Sequence, residues 1–206
     1  MSQPQQSRID SQVVAASLHD PAEFAQIYDR HAKDIYRYLL RRLGSHVAED
    51  LTADTFVVAF GSRARFDLSQ PDARPWLYGI ASNLAAKHRR KEARWLRAMA
   101  RTGVDPVAAS WVDQADQRVT AQALNRALAR ALADLSAGDR DVLLLVAWAD
   151  FSYDEVALAL DLPVGTVRSR LHRARRNVRA ALPEPTPDPP RRRDTIAATT
   201  EENRHG

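Results

Sequence analysis

A chain of 206 residues with a formal charge of +4 has room for one or two small domains. It has no cysteine, which excludes a disulfide framework and a thiolate metal site; its six histidines are scattered without paired ligand spacing, so no metal is expected. No apolar run approaches the roughly 18 residues of a membrane span, and no basic-then-apolar signal precedes the start, so a soluble, cytoplasmic protein with no membrane contact is expected.

Sparse β-branched alternation and abundant Ala, Leu and Arg predict an all-α fold of two small helical domains joined by a flexible linker. Residues 1–17 are polar, Gln- and Ser-rich at first, and are expected to be a flexible N-terminus. Asp20-Pro21-Ala22-Glu23 is a helix start: a cap, an N1 proline and an acid at N3. Phe24, Ile27, Tyr28, Ile35, Tyr38 and Leu39 follow at helical spacing. Arg41 and Arg42 suit the C-terminal turn and Gly44 the stop. Ser45 can cap a second helix with Val47, Leu51, Thr55 and Val58 on one face. The stretch from Gly61 to Pro75 is loop-like. A third helix, Trp76 to about Met99, begins apolar, with Trp76, Ile80 and Leu84 inward, and turns basic in its second half. This first domain spans 18–100.

Residues 101–118 read as a linker. A second domain, 119–182, opens with a helix from about Arg118 to Leu135 that turns Val119, Leu124, Leu128 and Leu132 inward. Ser136 caps a short apolar helix after it. Ser152 and Glu155 form a capping box ahead of Val156, Ala159 and Leu160. Pro163 then starts another helix, in which Val167, Leu171, Ala174 and Val178 make one narrow apolar stripe. Ser169, His172, Arg173 and Arg176 point away from the stripe; Arg168, Arg175 and Arg179 flank one side of it and Arg170 the other. A capped helix, a tight turn and a helix with a basic outer face make a helix-turn-helix. A solvated surface helix would carry the same charge, but no Asp or Glu offsets the arginines between Thr166 and Leu182. Unbalanced arginine suits phosphates and guanine edges. Residues 183–206 alternate prolines with polar residues and are expected to be a disordered tail. Glycines are too few for a phosphate loop, and no cofactor is called for.

With both halves read, the chain resembles the sigma-70 family of bacterial RNA polymerase initiation factors, most of all its small extracytoplasmic-function (ECF) group, which keeps regions two and four. Three stretches carry the resemblance: AEDLTADTFVVAF, Ala48 to Phe60; PWLYGIASNLAAKHRRKEAR, Pro75 to Arg94; and the stretch from Leu135 to Arg179 that contains the helix-turn-helix. Their order and spacing make the match specific. The resemblance implies that Glu49, Asp50 and Asp54 dock on core RNA polymerase. It implies that the 75–94 stretch melts and reads the −10 promoter element, with Asn83, Lys87, Arg90 and Lys91 on double- and single-stranded DNA. Phe66, in the loop before it, either stacks on a flipped base or packs inward. On the same ground Arg168, Ser169, His172, Arg173, Arg176 and Arg179 read or hold the −35 element, and an anti-sigma factor is a partner by resemblance alone.

The implied activity is promoter-specific initiation with no catalysis. A transcriptional regulator that is not a polymerase subunit would share the helix-turn-helix, but it leaves the acidic segment and the basic third helix unexplained. A DNA-processing enzyme would need an activated nucleophile or clustered metal-binding carboxylates, and neither is apparent.

Overall fold

The computed structural model describes residues 8–102 and 115–182, leaving aside the side chains of 89–91, 102 and 115–123. Among the described residues every regular element is a helix. In chain order these are α1 (Asp10–Ser17), α2 (Ala25–Leu43), α3 (Ser45–Ser62), α4 (Arg74–Lys87), α5 (Arg89–Thr102), α6 (Ala115–Asp134), α7 (Ala137–Trp148), α8 (Tyr153–Leu160) and α9 (Val164–Ala181). Short 3-10 turns lie at Pro21–Phe24 and Arg63–Arg65. The tail from 183 and most of the expected linker, with Trp111, lie outside the described residues.

Residues from Asp10 on are not a frayed end but α1, whose Val13 and Val14 are fully buried. A helix of eight residues is not stable alone. Tertiary bonds hold this one: Asp10 accepts from Arg30 Nη1 at 2.8 Å and from the Ala73 N–H at 3.0 Å, and lies 2.7 Å from His31 Nε2. Burial alone would push the Asp10 carboxyl up; these bonds outweigh it and hold the group well below the usual carboxylate range.

The predicted start of the next helix is present, with Asp20 Oδ1 accepting from the Ala22 N–H at 3.1 Å and Pro21 opening the turn that leads into α2. Gly44 ends α2 at φ 82°, a left-handed conformation in which a side chain is strained. It also lies against the Trp95 ring, about 3.1 Å from where a Cβ would stand. On α3, Leu51 and Thr55 are buried as expected, but Val58 is exposed.

The expected single helix from Trp76 to Met99 is two. His88, at φ −99° and ψ 18°, interrupts it. The inward face of α4 also differs from the expected one: Leu77, Tyr78, Ala81 and Ala85 are buried, while Trp76, Ile80 and Leu84 are only half-buried. The reason is that α4 is covered on two sides, by α2 and α3 and by α8. In the second unit Leu132 is buried and Leu128 half-buried, but Leu124 is exposed.

The two units pack on each other. Tyr78 meets Phe151 edge to face at 5.1 Å. Arg74 Nη2 donates to the Ala149 carbonyl at 2.5 Å. Between them lies a buried charge cluster. Arg42 donates from Nε to Glu92 Oε1 at 2.8 Å and from Nη2 to Asp141 Oδ1 at 2.7 Å. Arg140 donates to Glu92 Oε2 at 2.9 Å and to the carbonyls of Leu132, Ala133 and Leu135, which closes the end of α6. Arg42 and Glu92 are 1% exposed. Burial pushes the Asp141 carboxyl above its ordinary range, although the Arg42 charge pulls it back.

Candidate nucleic-acid interface

The helix-turn-helix is built from local sequence. The Glu155 N–H donates to Ser152 Oγ at 3.3 Å, and the Ser152 N–H donates back to Glu155 Oε2 at 2.7 Å, the predicted capping box. Asp161, at φ 51°, ends α8, and Pro163 opens α9. Val167, Leu171 and Ala174 are buried and Val178 is half-buried, so the predicted stripe is the packed face. The opposite side of α9 is left to solvent.

All six residues expected on that side are exposed. They do not share one surface. Arg168, His172, Arg176 and Arg179 line an open groove of about 650 Å³ together with Arg175 and with Tyr153 of α8. Arg173 lies on the other flank, where its Nε is 3.8 Å from Asp139 Oδ2 of α7. Ser169 donates its hydroxyl to the Thr166 carbonyl at 3.0 Å. Arg175 was not among the expected site residues, although its spacing from Arg168, His172 and Arg179 puts it on their flank. Tyr153 had no sequence signal beyond its place at the helix start.

On α4, Asn83 and Lys87 are exposed and one turn apart. The side chains of Arg90 and Lys91 lie outside the described ones. Phe66 takes the inward of its two dispositions: it is 8% exposed and its ring lies 5.0 Å from that of Trp76. Its apolar area is already covered by the first unit's own core, so it offers no face to a base in this arrangement.

On α3, Glu49, Asp50 and Asp54 are exposed and carry no ion pair among the described residues. Asp50 and Asp54 are one turn apart, and Val57, 69% exposed, continues their line. Asp10, His31 and Asp72 bring oxygen and nitrogen atoms within 4.8 Å of one another. The oxygens of Asp10 there are taken by Arg30, His31 and the Ala73 N–H, so the cluster ties α1 to the bundle. Among the described residues no helix is long and apolar enough to cross a membrane.

Residues 27–95 match the family model of Sigma-70 region 2, and residues 125–178 that of Sigma-70, region 4. The chain is 32% identical over 176 residues to the ECF RNA polymerase sigma factor SigL of Mycobacterium tuberculosis, covering 84% of this chain and 97% of SigL. It is 30% identical over 171 residues to the ECF RNA polymerase sigma factor SigW of Bacillus subtilis, covering 79% and 90%. Among solved structures it is similar to CnrH in complex with the cytosolic domain of CnrY, with a TM-score of 0.58 at 25% identity over 83% of this chain and 95% of the other. RpoE of Bartonella quintana, bound to the anti-sigma factor NepR, shares the fold with a TM-score of 0.54 at 23% identity, over 77% and 96%. Two helical units in this order, the second ending in a basic helix-turn-helix, place the chain in the sigma-70 family of RNA polymerase initiation factors, within its ECF group.

Proposed function

We propose that this chain docks on core RNA polymerase through Glu49, Asp50 and Asp54, reads and opens the −10 element with the α4–α5 stretch, and reads the −35 element with α9. The observation that carries the reading is one chain holding an acidic face on α3 and an acid-free, arginine-lined face on α9. A regulator that only binds DNA has use for the second face and none for the first. On α4 and α5, Asn83 faces a base edge, and Lys87, with Arg90 and Lys91, holds the backbone of the separated strand. On α9, Ser169, His172 and Arg173 face the bases, while Arg168, Arg175, Arg176 and Arg179 track phosphates. The chain supplies no catalytic group of its own and works in the cytoplasm, where polymerase and promoter DNA are. A protein partner of the anti-sigma kind belongs to the same reading, since the similarly folded CnrH is found in complex with the cytosolic domain of CnrY.

Copurification with core RNA polymerase, followed by run-off transcription on genomic fragments, tests this. Asp50→Lys with Asp54→Lys is expected to weaken core binding, since close charge pairs across an interface couple by about 1.5 kcal/mol or more. Unchanged core affinity in a variant that keeps its helicity would remove α3 from the docking surface.

A further inference from the structure

A cavity of about 320 Å³ opens between α2, α4 and the turn that follows α7. Three guanidinium groups line it, those of Arg37, Arg41 and Arg74. The rings of Tyr78 and Trp148 and the carboxylates of Asp34 and Asp150 complete the wall. Much of this polar capacity is unused. Arg41 Nε is shut off from water without a hydrogen-bond partner, although its guanidinium lies 5.4 Å from the Trp148 ring centre. A buried donor in that state is uncommon in a folded chain and asks for an acceptor. Arg37 Nη1 is 3.8 Å from Asp34 Oδ1, too far for a hydrogen bond. Asp150 is exposed at φ 56°, a left-handed conformation that side chains rarely take, and its carboxylate has no partner among the described residues. Arg74 alone is engaged, with Nη2 on the Ala149 carbonyl.

The wall therefore asks for three things in one ligand. Guanidinium forks match the oxygens of a phosphate. Free carboxylates accept from hydroxyl or amino groups. Tyrosine and tryptophan offer flat apolar surface to a ring. A bare anion would meet the two carboxylates as repulsion, and a cation would meet the three arginines. The volume lies in the range of about 300–1,000 Å³ that small-molecule sites occupy.

We infer that this cavity binds a nucleoside phosphate, with Arg37 and Arg41 on the phosphate, Tyr78 and Trp148 along the base, and Asp34 and Asp150 on its hydroxyl or amino donors. No residue of the wall is among those assigned above to DNA or to polymerase, so the inference does not depend on those assignments. A ligand that binds the folded chain and not the unfolded one raises its melting temperature with concentration.

Isothermal titration calorimetry of the full chain tests this at about 0.15 M salt, where exposed charges are largely screened. The probes are ATP and GTP, with adenosine, ribose 5-phosphate and inorganic phosphate as their fragments. At least one of the two nucleotides is expected to bind once per chain, more tightly than every fragment, and to raise the melting temperature. Arg37→Ala and Asp150→Gly are the decisive variants. Both positions are exposed and glycine suits φ 56°, so both should fold. Each is expected to weaken nucleotide binding about tenfold. Arg37→Ala should also weaken inorganic phosphate, and Asp150→Gly should not. Absence of binding by either nucleotide at millimolar concentration overturns the inference, as does unchanged affinity in either variant with its circular dichroism intact. Inorganic phosphate bound as tightly as the nucleotides would make this a plain anion site and overturn it too. So would binding that survives Arg37→Ala and is lost in Arg175→Ala with Arg179→Ala, because it would belong to the α9 groove.

Discussion

Arg173 and Arg179 sit on one helix and differ in what surrounds them. Arg179 lines the groove with Arg168, Arg175 and Tyr153, where several cations run side by side and suit a phosphate path. Arg173 stands apart, loosely paired with Asp139, whose side chain is almost fully buried. A leash of 3.8 Å is too long for a strong bond, so it aims the guanidinium without occupying it. Arg173→Ala is therefore expected to flatten the preference among single-base −35 variants, by about 1–3 kcal/mol at the position it reads. Arg179→Ala should weaken every site alike and reduce the salt slope by about 0.9 in log–log units. Holoenzyme affinities measured across −35 variants at several salt concentrations separate the two; full base preference in Arg173→Ala, with loss in Arg179→Ala, would reverse the orientation of α9. The exposed side of this helix was legible because its apolar stripe is local and strictly periodic. Arg42 was not legible. Beside Arg41 at the end of α2 it reads as a charge for the helix terminus, yet it is 1% exposed. Its partners stand 50 and 99 residues away, beyond the reach of any periodicity.

The elements divide by what stabilises them. The helix-turn-helix carries its own caps and stripe, and its boundaries could be read from the chain. Helix α1 could not, because it has no stripe and depends on Asp10 reaching Arg30, His31 and Ala73. Its dependence has a pH signature. The Asp10 carboxyl is held below its unfolded value, so its contribution is fully present above about pH 4 and is lost as the pH falls below that. Asp10→Asn should lower stability at neutral pH by about 1.5–3 kcal/mol, the worth of hydrogen bonds to a charged group, and make the acid limb of a denaturation series shallower. An acid limb unchanged in Asp10→Asn would mean that α1 is held by Val13 and Val14 alone. The break at His88 was hidden for a related reason: nothing in the sequence around it forbids helix, and Glu92, in the first turn beyond it, takes its partners from Arg42 and Arg140, 50 and 48 residues away. On the exposed side of α4, Lys87→Ala is expected to slow open-complex formation on duplex promoters and to recover in part on a template already unpaired around the −10 element. Equal defects on both templates would make Lys87 a plain backbone contact.

At the scale of the whole molecule, the all-helical class and the two-unit plan followed from composition, punctuation and the motif order. The contact between the units did not, since it joins groups that stand 48 to 99 residues apart in the chain. Its charged members are the least expected feature of the core, because an apolar seam of the same size would have avoided their desolvation. The seam also leaves an optical consequence. Of the tryptophans among the described residues, Trp76 meets Phe66 with the two rings tilted by 49° and Trp95 lies under Gly44, both inside the first unit. Trp148 belongs to the second unit, and the guanidinium of Arg41 from the first sits 5.4 Å from its ring centre. Any parting of the units would strip that cation from the indole and wet it, so the emission of the protein would shift to the red. Replacing Trp148 with Phe should remove its part of that shift and leave Trp76 and Trp95 as an internal reference, which makes the native chain its own fluorimetric gauge of the contact between the units.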